Sequence, residues 1–106
     1  MRFGLKEEDI KKINNVFSDF PVVHEVLLYG SRAKGNYKHG SDIDLTMKGE
    51  QLDYNLLSDI SLQLDDLLLP YTIDLSIFER LKNSDLMEHI HQVGKVFYKR
   101  NAVNVK

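Results

Sequence analysis

The 106-residue chain is 42% apolar, 28% charged and 9% aromatic, the balance of one soluble globular domain spanning residues 1–106. Fourteen Lys and Arg against sixteen Asp and Glu give a net charge of −2, so direct binding along a nucleic-acid backbone is not expected, and the lack of cysteine excludes disulfides, thiolate zinc sites and cysteine nucleophiles. No apolar run exceeds Val26-Leu27-Leu28-Tyr29, and Glu7 and Glu8 arrive before a signal peptide could form, so no membrane contact and a cytoplasmic address are expected.

Ile10, Ile13, Val16, Phe17 and Phe20 recur at three- and four-residue intervals, which predicts a helix from about Lys6 to Phe20. Glu7 and Glu8 precede Lys11 and Lys12 by four residues, the order that favours ion pairs along a helix, and Pro21 stops it. Val22 to Tyr29 reads as a largely buried strand, broken by Gly30. Ser31 is placed to cap a short helix through Arg32, Ala33 and Lys34 that Gly35 ends. After a polar loop, Asp42, Asp44 and Thr46 alternate with Ile43, Leu45 and Met47, giving a strand with one polar and one apolar face. A helix capped at Asp53 follows, with Leu56, Leu57, Ile60, Leu64, Leu67 and Leu68 on its buried stripe and Pro70 beyond it. Tyr71 to Phe78 alternates again, with Ile73, Leu75 and Ile77 opposite Thr72, Asp74 and Ser76. Asn83 or Ser84 caps a last helix carrying Leu86, Ile90 and Val93, and Lys95 to Tyr98 forms a final short strand. The order predicts a small α/β (α+β) domain, its helices covering one face of the sheet and leaving the carboxylate face open.

Three features of this pattern point to chemistry. Gly30-Ser31 lies between a strand and a helix, where glycine permits close approach and free N–H groups attract an anion. Alone it is no more than a turn and a cap. Asp42 and Asp44 share a strand face about 6.5–7 Å apart at Cα, a spacing open equally to a solvated edge strand and to a hard divalent cation. Asp74 lies mid-strand, where aspartate is disfavoured, and strand neighbours are about 4.8 Å apart. Were its strand beside that of Asp44, three carboxylates would repel one another unless a cation neutralised them. The four histidines read as surface or packing residues, because His89 and His91 diverge on a helix and His24 and His39 stand alone.

Leu28-Tyr29-Gly30-Ser31-Arg32-Ala33-Lys34-Gly35, ten further residues after Ser31, and Asp42-Ile43-Asp44-Leu45 resemble the signature of minimal nucleotidyltransferases of the DNA-polymerase-β-like superfamily. The resemblance extends from the first helix to Gly94-Lys95-Val96-Phe97-Tyr98 and implies the small nucleotidyltransferase fold, a mixed sheet with helices mainly on one face. It implies that Gly30, Ser31, Arg32 and Lys34 hold the triphosphate of ATP. Asp42, Asp44 and Asp74 would be the catalytic carboxylates binding two Mg²⁺ ions. Family members typically carry Arg where this chain has Lys34, which keeps the charge without the bidentate fork.

At this length there is no room for a templating domain, so processive polymerisation is not expected. Domains of this kind are often antitoxins of a helical HEPN-type ribonuclease toxin, and the resemblance implies transfer of AMP from ATP to a tyrosine of that partner. Two other classes stay open. One is the catalytic subunit of an aminoglycoside-type adenylyltransferase, and the other is a binding antitoxin that neutralises its partner by covering it.

Overall fold

Four segments with alternating apolar side chains pair into one sheet in the computed structural model, which describes residues 1–100. The single-domain expectation also takes in residues 101–106, which lie outside the described residues. The elements are α1 (Glu7–Ser18), β1 (Glu25–Tyr29), α2 (Ser31–Lys34), β2 (Ile43–Lys48), α3 (Tyr54–Asp65), β3 (Ile73–Ile77), a 3₁₀ turn (Phe78–Arg80), α4 (Ser84–Val93) and β4 (Lys95–Lys99). The strand order is β3-β2-β1-β4; β1 runs antiparallel to β2 and β4, and β2 runs parallel to β3. A mixed sheet of this kind is the α/β arrangement that the element order predicts.

The register sorts the side chains. Val26 faces Met47 and Leu28 faces Leu45 on one side of the sheet. There they join Ile43, Ile77 and Phe97 against Ile10, Ile13, Val16 and Phe17 of α1 and Ile60 and Leu64 of α3. Phe17 is wholly buried, so truncating it to Ala removes about 3–5 kcal/mol of stability. On the other side Tyr29, Asp44 and Asp74 form one row across three strands, with Leu27, Thr46 and Ser76 in the next. This second face is not left bare. His89 of α4 packs edge-on against Tyr29, so α4 covers the β1 end of the row, and only the β2–β3 end opens outward.

Several boundaries move for local reasons. The α3 helix is capped by Asp53, whose carboxylate accepts the Leu56 N–H at 2.9 Å, but it ends at Asp65 rather than near Pro70. Leu68 therefore leaves the predicted buried stripe; it adopts a left-handed backbone (φ 56°) and is 87% exposed. Glu7 pairs with Arg2 (3.2 Å) and the N-terminal amine (3.4 Å) rather than with Lys11. The α1 helix has no basic residue in its last turn. Arg100 supplies that charge from beyond β4, its Nη2 donating to the Ser18 and Phe20 carbonyls at 3.3 and 3.1 Å. Asn83 caps α4 by accepting the Leu86 N–H at 3.0 Å, as its sequence position predicts.

Candidate active site

The turn after β1 is the first component. Gly30 itself occupies the cap position of α2, with no side-chain cap, so Ser31 is the first helical residue and not the predicted cap. At φ 75° and ψ −157° the Gly30 backbone is open to glycine and strained for other residues. The close approach that needs a glycine here is to Asp44, because a Cβ at residue 30 would collide with Asp44 Oδ2. Gly35 ends α2 in the left-handed conformation, its N–H bonded to the Ser31 carbonyl at 2.9 Å.

The carboxylates form the second component. Asp44 and Asp74 are register partners on the parallel strands β2 and β3, so strand pairing sets them side by side. Asp42 is exposed just before β2 begins, two residues from Asp44. Burial holds the Asp44 carboxyl above the ordinary carboxylate range, the negative charges of Asp74 and Asp42 push it further in the same direction, and His89 opposes them only when its ring is charged. Burial likewise raises the Tyr29 hydroxyl, with Asp74 and Asp44 adding to the rise and a hydrogen bond with Ser76 opposing it. Among the described residues no three His, Cys, Asp or Glu side chains gather closely enough to hold a metal ion by themselves; the carboxylates make an open row.

The basic residues of the motif part company. Lys34 is exposed and lines an open depression of about 360 Å³ with Ala33, Gln92, Val93 and Lys95. Arg32, expected among the phosphate ligands, is only 3% exposed. Its Nε and Nη2 donate to the Ser41 carbonyl at 3.1 and 2.8 Å, and its Nη1 donates to the Phe3 carbonyl at 2.9 Å. The Tyr71 and Tyr37 rings lie 4.9 and 5.3 Å from its guanidinium. Arg32 thus ties α2 to the N-terminal turn and to the residue preceding Asp42, and a phosphate would have to compete with two backbone carbonyls, held by three hydrogen bonds, to reach it.

Sequence reasoning missed His89. Its Nε2 accepts the Gly30 N–H at 3.0 Å, although the helical spacing of His89 and His91 gave it only a surface or packing role. The available signal was its place mid-way along the helix that follows the Asp74 strand, but nothing in the spacing shows which strand that helix covers.

The polymerase β nucleotidyltransferase model matches residues 11–103. The chain belongs to that family. It is similar in fold to a chain of a toxin–antitoxin complex solved with AMP-PNP (TM-score 0.68, 22% identity, covering 92% of this chain and 76% of that one). A similar fold occurs in a complex of a tri-AMPylated Shewanella oneidensis HEPN toxin with its MNT antitoxin (TM-score 0.67, 19% identity, 91% and 74% covered). A third similar chain belongs to the MntA–HepT toxin–antitoxin complex (TM-score 0.66, 20% identity, 90% and 74% covered). No curated protein sequence matches. No helix among the described residues is long and apolar enough to cross a membrane.

Proposed function

We propose that this nucleotidyltransferase moves AMP from ATP to an acceptor hydroxyl, a tyrosine of a helical HEPN-type toxin, and so serves as the antitoxin of the pair. The observation that carries the reading is the in-register pair Asp44–Asp74, with Asp42 beside it, at the mouth of the Gly30-Ser31 turn. The similarity in fold to chains of toxin–antitoxin complexes, one with AMP-PNP and one with an AMPylated toxin, supports the choice of nucleotide and partner.

The donor set suits magnesium. All three groups are hard oxygen ligands, and the Asp44 carboxyl, raised by burial first and by the charges of Asp74 and Asp42 after it, is in the condition a divalent cation relieves. Asp42, Asp44 and Asp74 would hold the metal, and their open row leaves room for substrate phosphate oxygens as further ligands. When bound, magnesium supplies positive charge to the carboxylates and to the pyrophosphate that develops. Gly30 and Ser31 hold the triphosphate by backbone and hydroxyl groups, and Lys34 adds a cation at its outer side. The tyrosine oxygen forms its bond to the α-phosphorus as the bond to the bridging oxygen breaks. Pyrophosphate leaves with that electron pair, and Asp74, the outermost of the row, accepts the phenol proton.

The test is intact-mass measurement of the adjacent gene's product after co-expression. One or more additions of about 329 Da, the mass of a transferred AMP, are expected with the wild-type chain and not with Asp44→Ala. A product that stays unmodified, yet is neutralised by Asp44→Ala as well as by wild type, would replace transfer with simple covering of the partner.

A further inference from the structure

Gly30 is held from two sides. Its N–H donates to His89 Nε2 at 3.0 Å, and its Cα presses on the Asp44 carboxylate so closely that no Cβ fits between them. The same imidazole meets the Tyr29 ring edge-on, with centroids 6.1 Å apart and planes at 81°. Tyr29 is in turn the strand partner of Asp44. One side chain of α4 therefore touches the turn and the aromatic residue that together flank the carboxylate row.

We infer that His89 is a positioning residue of this site, accepting the Gly30 N–H so that the turn leading to Ser31 is held against Asp44. The inference rests on the nucleotidyl-transfer reading above. Glycine is the residue with most conformations to lose, and a peptide in its left-handed region with an unbonded N–H is free to rotate. The bond to α4 selects one orientation. It thereby fixes where the Ser31 hydroxyl and the following N–H groups stand relative to Asp42 and Asp44, which is the distance between phosphate holders and metal holders. Accepting at Nε2 requires the neutral ring with its proton on Nδ1.

Two substitutions separate this role from packing. His89→Gln places an amide oxygen as far along the side chain as Nε2 and keeps an acceptor without the ring. His89→Phe keeps a ring against Tyr29 without the acceptor. Amide exchange of Gly30 by ¹⁵N–¹H NMR and ATP affinity in Mg²⁺ by calorimetry are the two readouts, and peak dispersion reports that each variant is folded. In His89→Phe, Gly30 exchange should quicken about tenfold and ATP should bind about five- to tenfold more weakly, the range of one neutral hydrogen bond. His89→Gln should bring both to within about threefold of wild type. Retention in Phe with loss in Gln, loss in both, or loss in neither overturns the inference. A wild-type chain that binds no ATP in Mg²⁺ overturns the transfer reading instead, and Gly30 exchange in the two variants still decides what His89 does.

Discussion

Arg32 and Asp44 belong to one motif, yet the fold treats their charges in opposite ways. Arg32 is buried with its guanidinium donating to two backbone carbonyls and with tyrosine rings beside it, so the protein itself holds Nε and both Nη atoms. Asp44 is half-buried beside two carboxylates of the same sign, and its carboxyl is pushed up as a result. A satisfied charge is architecture. A charge surrounded by its own sign is stable only as a host for something of the opposite sign, and such groups cluster where chemistry is done. The difference also divides the labour: Arg32 fixes the carbonyl just before Asp42, and so holds the loop from which the carboxylate row starts.

Asp44→Asn strains the comparison most. AMP transfer should fall about a thousandfold, the upper range for losing one preorganised electrostatic partner. Stability should hold or rise. Because the Asp44 carboxyl titrates above its ordinary range, its protonated form favours the fold. That contribution is complete below the unfolded-state value and is lost as pH rises through the raised folded-state value. Urea titrations in EDTA across this window should show the loss in wild type and not in Asp44→Asn. A variant less stable than wild type at neutral pH would mean that the fold satisfies Asp44 after all.

Arg32→Met tests the other half. It leaves the Ser41 and Phe3 carbonyls without their donors, and a loss of about 3 kcal/mol in urea unfolding is expected. Arg32→Lys should recover little, since an ammonium cannot reproduce the fork on Ser41. An unchanged unfolding midpoint with weakened ATP binding would return Arg32 to the phosphate ligands.

Gly30→Ala joins the two regions and should remove about 2 kcal/mol, part from the left-handed backbone and part from the collision with Asp44. In an Asp44→Ala background the collision disappears and about 1 kcal/mol of backbone strain should remain. A double-mutant cycle with no coupling would show that the two residues do not touch.

Periodicity carried the fold well, because the apolar alternation of Ile43-Leu45-Met47 and Ile73-Leu75-Ile77 is the imprint of burial on one face. The caps at Asp53 and Asn83 were legible for the same local reason, a short acceptor three residues before the N–H it receives. Long-range pairing was not. No local pattern says that β3 lies beside β2, which is what makes Asp74 the partner of Asp44. Nor does one say that α4 crosses to the carboxylate face, which brings His89 to Gly30. Arg32 reads as a phosphate ligand because it is a cation next to Gly-Ser, and the backbone carbonyls that receive its N–H groups carry no residue identity that a sequence could show. Leu68 misled because the helical stripe continues in sequence past the point where the backbone turns left-handed.

The smallest expected effect concerns Lys34, the motif's other basic residue, which unlike Arg32 remains exposed. It faces the same depression as Lys95, so two ammonium groups border one open hollow beside the turn. Water and salt screen charges in such a place, and each contributes only modestly to holding a phosphate. Lys34→Ala should therefore weaken ATP binding about threefold and flatten its dependence on ionic strength. Lys34→Arg should tighten binding by about twofold, because the guanidinium adds a second parallel hydrogen bond to a phosphate oxygen without adding charge. Calorimetry at two salt concentrations separates the effects, since gained geometry survives salt better than gained charge. If Lys34→Ala leaves both affinity and salt dependence as they were, and Arg32→Met acts on stability alone, neither basic residue of the motif serves the triphosphate. Its grip would then fall to Gly30, Ser31 and the metal proposed for the carboxylate row.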